Sequence, residues 1–274
     1  MSFLLVDRIH QFTPGKGAKG NLRIPPDAPD FPLALAVEAI GQLAAYVAME
    51  STGFAMRPVA ATAGEVVATG AIRPGDSLEL EIDIRALRSR AIRYGGVARI
   101  GGDAAVEVHR CTGAMLPMAA FDDTERVRAE LEQLRTRGAP ARALTSRAES
   151  APRKSEPVFD ETGRMRTTLL VPRAAPLYAE HFPRRPVYPA TLLLDAKIGV
   201  ARDLVARRAP EGSPPPFTRA VRGVKVRAFI PPGARVEVVV EEIEKRPSDR
   251  GRLVRMDART DGERVSTASV LLEA

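Results

Sequence analysis

The chain has 274 residues, room for two domains of ordinary size or one duplicated domain. Hydrophobic residues make up 45% but aromatics only 5%, with no Trp, so any core is built from Val, Leu, Ile and Ala. The single Cys111 excludes an internal disulfide and a cysteine-based zinc site, and His10, His109 and His181 show no metal-ligand spacing, so no metal is expected. A net charge of +7, with only 6 Lys among 41 basic residues, favours an anionic partner. The arginines are dispersed and no nucleic-acid-binding motif accompanies them, so nucleic acid is not that partner. The opening apolar run is broken by Asp7, too early for a signal peptide, and no stretch reads as a bilayer span. A cytoplasmic protein without a membrane partner is expected.

In chain order, Asn21-Leu-Arg-Ile-Pro25 predicts a strand entering a helix from Leu33 to about Glu50, apolar round most of its first two turns and therefore buried. A strand from Gly64 to Ile72 leads through Arg73-Pro74-Gly75 into the alternating strand Ser77–Ile84. Two more strands, Ala91–Ile100 and Ala104–Leu116, are separated by Gly101-Gly102-Asp103. Asp122 to Arg135 predicts a surface helix with an Asp cap and Glu–Arg pairs, followed by a mobile Ala/Pro/Ser/Arg-rich linker, Gly138–Pro157.

The pattern then repeats. Thr168-Leu-Leu-Val-Pro172 precedes a second apolar helix, Thr191 to about Arg208, and Val221–Ile230 passes through Pro231-Pro232-Gly233 into Arg235–Glu241. A last pair, Arg252–Thr260 and Arg264–Leu272, flanks Asp261-Gly262. The turn glycines Gly75 and Gly233 are 158 positions apart, and the helix acids Glu38 and Asp195 are 157 apart. Two independent landmarks with nearly one offset define a duplicated α+β domain, each copy a long buried helix wrapped by a curled antiparallel sheet. The expected divisions are residues 1–121, a helix and linker over 122–160, and 161–274.

The copies differ in one place. His181-Phe-Pro-Arg-Arg-Pro-Val-Tyr-Pro-Ala-Thr-Leu-Leu-Leu-Asp195 precedes and opens the second helix, whereas Pro26-Asp-Ala-Pro-Asp-Phe-Pro32 precedes the first. By the distance from strand to helix acid, the first copy lacks about ten residues and has no histidine there; Asp30-Phe31-Pro32 stands where His-Phe-Pro would be.

The His181 segment closely resembles the histidine loop and helix of hot-dog-fold dehydratases that act on 3-hydroxyacyl thioesters. Phe3-Leu-Leu-Val-Asp-Arg8 and Glu38-Ala-Ile-Gly-Gln42 resemble the opening and the helix start of the bacterial 3-hydroxyacyl-carrier-protein members. The chain departs from their loop at Arg184, Arg185 and Ala190, the first and last standing where glycine is usual. The resemblance implies a double hot dog in which the histidine of one copy meets the helix acid of the other. His181 would then be the base and Glu38 the acid of one composite site, and Asp195 would mark a dead counterpart. Gln42 would orient Glu38, and Tyr188, Pro189 and Ala190 would shape the site, with the amide at Ala190 directed at the thioester carbonyl.

No cofactor of its own is implied, since the substrate would ride on phosphopantetheine of an acyl carrier protein or on coenzyme A. Arg222, Lys225 and Arg227, with Arg219 nearby, are candidate contacts for that phosphate or for an acidic carrier; a charged, solvated strand edge is the alternative. His10, His109, Pro74 and Pro231-Pro232 read as ordinary surface, core or turn residues. Two other functions fit the fold: a hot-dog thioesterase, against which the histidine loop argues, and a non-catalytic acyl- or carrier-binding protein. Either a monomer or a homodimer of double hot dogs is compatible with the duplication.

Overall fold

Strict alternation makes the strands. Over Ser77–Arg88 (β4), Leu78, Leu80 and Ile82 turn inward while Glu79 and Asp83 face solvent, and Val236, Val238 and Val240 repeat the pattern in β11, Arg235–Ile243. The computed structural model describes residues 3–28, 30–140 and 150–273. In the first copy β1 (Arg8–Thr13), β2 (Gly17–Arg23), β3 (Met56–Ala68), β4, β5 (Ala91–Ile100) and β6 (Asp103–Pro117) surround α1, Leu33–Ser51. In the second, β9 (Met165–Leu170), β10 (Phe217–Val226), β11, β12 (Arg252–Thr260) and β13 (Glu263–Glu273) curl about α4, Ala190–Arg208.

Among the described residues these strands form one continuous antiparallel sheet, in the order β1-β2-β4-β5-β6-β3-β10-β13-β12-β11-β9. Reading outward from the β3–β10 junction, 3-6-5-4-2 on one side matches 10-13-12-11-9 on the other. The two hot dogs are therefore related by a pseudo-two-fold axis at that junction, where Val66 pairs with Val221 and both are fully buried. Helices α1 and α4 pack on each other and on their own sheets. Both tight hairpins use left-handed residues as the sequence requires: Gly101 and Gly102 at φ 57° and 89°, Asp261 and Gly262 at 51° and 81°.

Two expectations are corrected. Of the predicted linker, residues 141–149 lie outside the described residues, but Arg153–Lys154 (β7) pairs with β9, as does Val158–Phe159 (β8) just beyond the predicted linker. The helix expected on the surface, α2 (Thr124–Thr136), is there with its Asp123 cap and an Arg126–Glu130 pair, and turns Val127, Leu131 and Leu134 into the first copy. Finally, α1 is long and apolar enough to cross a membrane, with mean hydropathy 1.4, contrary to the sequence reading. Its apolar side chains are instead spent on the core, with Ala36, Ala39, Ile40, Leu43 and Val47 fully buried.

Nine residues (24–32) connect β2 to α1, but nineteen (171–189) connect β9 to α4. The extra length holds a single helical turn, α3 (Leu177–Glu180), and the histidine loop.

Candidate active site

Glu38 and Gln42 stand one turn apart on α1 and therefore share a face. The Gln42 amide is fully committed: Nε2 donates to Glu38 Oε1 at 3.0 Å and to the Phe3 carbonyl at 2.7 Å, while Oε1 accepts from the Leu5 amide at 2.7 Å. One side chain thus fixes the carboxyl and pins the N-terminal segment across it. That segment reaches the second copy as well. The Phe3 amide donates to the Glu180 carboxylate, and the Phe3 ring meets the His181 ring edge-on, centroids 5.1 Å apart.

His181 caps α3, its amide donating to the Leu177 carbonyl at 2.7 Å. Its Nδ1 lies 3.3 Å from the Val187 carbonyl, so Nδ1 carries the proton and Nε2 is left as an acceptor. The next residue, Phe182, takes a left-handed φ of 61°, which is costly for an aromatic residue and persists only where the surroundings impose it. Here they do. Phe182 packs edge-on against Phe121, and the Arg57 guanidinium lies 4.8 Å above its ring. The two loop arginines are anchors: Arg184 reaches the Ala119 carbonyl and Asp123, and Arg185 stacks 4.5 Å over Phe229. A loop of the second copy is thereby bolted to the first.

Glu38 and His181 line one cavity of about 750 Å³, together with Ala190, Thr191 and Tyr94. Thr191, in the first turn of α4, donates its hydroxyl to Glu38 Oε2 at 2.7 Å, a bond between the two copies. The amides at the start of α4 have no carbonyl partner within the helix, and Ala190 and Thr191, which carry two of them, line the cavity.

The enclosure moves the two pKa values in opposite directions. Burial raises the Glu38 pKa, opposed by its hydrogen bonds from Thr191 and Gln42 and by the Arg57 charge. Burial, with help from Arg57, lowers the His181 pKa to about 3, against a smaller opposite effect of the Val187 carbonyl. Arg57 itself is held by an ion pair at 3.1 Å with Asp122, which is fully buried and also bound by Arg126.

Of the residues singled out from sequence, His181, Glu38, Gln42, Tyr188 and Ala190 come together around the cavity, with Pro189 as the N-cap of α4. Tyr188 lends its hydroxyl to the Ser150 carbonyl at 3.1 Å, and so holds the inter-copy segment against the loop. Asp195 does not line the cavity. Arg222 is not a free anion receptor: it grips Asp249 through two bonds of 2.7 and 2.9 Å and Glu65 through one of 2.9 Å, tying the second copy to β3 of the first. Lys225 and Arg227 remain exposed. Sequence reasoning missed Arg57, Thr191 and Tyr94. Thr191 lay inside the quoted segment without a role; Arg57 carried no motif, and only an isolated cation at the start of an apolar strand could have flagged it.

This arrangement defines a double hot-dog protein with a histidine of one copy and a carboxyl of the other around a shared cavity. A family model described as a FabA-like domain matches residues 156–269, the copy that carries His181. The 3-hydroxyacyl-(acyl-carrier-protein) dehydratase FabZ of Caldanaerobacter subterraneus subsp. tengcongensis is 33% identical over 114 residues, covering 38% of this chain and 81% of that protein. The chain belongs to this FabA/FabZ-like dehydratase family. The fold is shared more widely. The dehydratase domain of PpsC from Mycobacterium tuberculosis superposes with a TM-score of 0.57 at 14% identity, covering 100% of this chain and 99% of that one. An acyl-ACP thioesterase from Bacteroides thetaiotaomicron also gives 0.57, at 9% identity and 94% and 98% coverage.

Proposed function

We propose that the chain is a hydro-lyase that converts a 3-hydroxyacyl thioester, carried on an acyl carrier protein, to the 2-enoyl thioester. The observation that carries this reading is the His181 imidazole, its Nδ1 on the Val187 carbonyl and its Nε2 left to accept, lining the same cavity as the Glu38 carboxyl. His181 Nε2 takes the proton from C2, the electron pair forms the C2–C3 double bond, and the C3–O bond breaks. Glu38 supplies the proton with which the hydroxyl leaves as water. The free amides of Ala190 and Thr191 stabilise charge on the thioester oxygen. His181 then returns its proton to Glu38, so no net proton is consumed.

The relative's name supports carrier protein as the partner, and the positive charge of the chain suits an acidic one. With Arg222 occupied, Lys225 and Arg227 are the remaining candidates for carrier contacts on that strand. The test is mass-spectrometric conversion of 3-hydroxyacyl carrier protein beside the matched coenzyme A thioester. Loss of one water from the carrier-bound substrate is expected, faster than from coenzyme A. Release of free acid would favour a thioesterase, and no turnover of either would refute the reading.

A further inference from the structure

The second copy holds a buried polar pair that the dehydration chemistry does not use. Lys197 on α4 is 0% exposed, and its Nζ donates to Ser266 Oγ on β13 at 2.8 Å. No carboxylate neutralises the amine at ion-pair distance among the described residues. Asp257 on β12 acts on it only through its field and faces Arg264 at 3.8 Å. Burying an amine with one neutral hydrogen bond costs far more than that bond returns.

The fold does not require the pair. Shifting by the 157-residue offset of the helix acids, Lys197 falls on Ile40, which fills the same place in the first copy with an apolar side chain, also fully buried. Ser266 also lines the cavity that contains Glu38 and His181, beside Val226, its partner across the β10–β13 pairing. Since Ser266 Oγ accepts from Lys197, its own O–H is left to donate, and it has no protein acceptor among the described residues. The cavity therefore carries, beside Val226, a hydroxyl donor polarised from behind by an amine.

We infer that Ser266, backed by Lys197, is a subsite for a hydrogen-bond-accepting oxygen on the acyl chain beyond C3, so that the preferred substrates are oxygenated acyl thioesters rather than plain alkyl ones. A saturated chain would leave the Ser266 donor buried and unpaired; a keto or hydroxyl oxygen would satisfy it. Burial brings the Lys197 pKa to about 7, so near neutrality the amine can share or take up a proton as the ligand demands.

This inference rests on the acyl-thioester reading above, but its test does not require turnover. Two inert pantetheine amides of equal chain length, one alkyl and one with a distal keto group moved along the chain in a short series, are titrated calorimetrically into the full chain. At the best keto position the oxygenated analogue should bind at least about tenfold more tightly, the worth of satisfying one buried, otherwise unpaired donor. The ratio should fall to within about threefold in Ser266→Ala and in Lys197→Met. Equal binding of the pair by the wild type at every position, no binding of either, or a preference that survives both substitutions would overturn it. Should one variant misfold, the other and the wild-type ratio still decide. Preferential binding without dehydration of any substrate would leave this inference standing and defeat the proposed activity instead.

Discussion

Replacing Lys197 with Met should change stability in a way that depends on pH. Lys197 has a folded-state pKa of about 7 against 10.5 for the free side chain, because its burial disfavours the charged form. The unfolded chain therefore binds more protons between those two values, and stability rises with pH across that window. At pH 7 the penalty is about 5 kcal/mol, from roughly 3.5 pH units at 1.36 kcal/mol each, and it vanishes near pH 10.5. Met fills similar volume without the charge but leaves Ser266 without its donor, a loss of about 1–2 kcal/mol. The variant should thus be more stable than the parent by about 3 kcal/mol at pH 7, or about 5 °C in Tm for a chain of this size. By pH 10.5 the order should reverse, the parent leading by about 1–2 kcal/mol. Denaturant unfolding of both proteins at pH 7, 8.5 and 10 measures the difference and cancels the other titrations. A difference that does not vary with pH would refute the burial argument.

Arg57→Met removes a cation that lowers both pKa values in the site, so His181 and Glu38 should both shift upward and both limbs of the pH–rate profile should move to higher pH. Unmoved limbs would mean that Arg57 only holds Phe182. Arg222→Met strips the cation from Asp249 and Glu65 and should cost about 2–3 kcal/mol of stability, read by denaturant unfolding, with carrier-protein affinity unchanged in a binding titration. Gln42→Leu frees the Glu38 carboxyl and the segment from Phe3 to Leu5 together. It should lower kcat about tenfold or more with a smaller change in KM, and raise the Glu38 limb of the profile. His181, held neutral by burial, should make the protein lose stability as pH falls from 6.5 toward about 3, because the unfolded imidazole takes up a proton that the folded one refuses. In His181→Phe that part of the acid loss should be missing from unfolding curves measured between pH 4 and 7.

Much of the fold was legible because the local signals agreed. Alternation fixed β4, β5, β6, β11, β12 and β13 to within a few residues, and the glycine turns fixed their hairpins. The repeat offset revealed the duplication before any contact was known. What escaped was set by tertiary partners. β7 and β8 are two-residue strands that exist only because β9 offers an edge, so nothing in their own sequence marks them. Arg222 looked like a free surface cation because Asp249 lies 27 residues away and Glu65 lies 157 away. Lys197 drew no notice inside a helix read as apolar, and only the curl of β12 and β13 over α4 shows that its side chain is fully buried. In the site, Glu38 and His181 were visible as motif residues, while Arg57 and Thr191 act through contacts between copies that no local pattern encodes.

The central claim is that one composite site, built from Glu38 of the first copy and His181 of the second, performs the chemistry. It is tested most directly by single-turnover dehydration of one 3-hydroxyacyl carrier-protein substrate by the wild type and by His181→Ala, Glu38→Gln and Asp195→Asn. The first two should fall by about 10²–10⁴-fold, as expected for loss of a general base or acid. Asp195→Asn, outside the cavity, should stay within about tenfold of the wild type. A loss in Asp195→Asn equal to that in Glu38→Gln, or a wild-type rate in Glu38→Gln, would contradict the account.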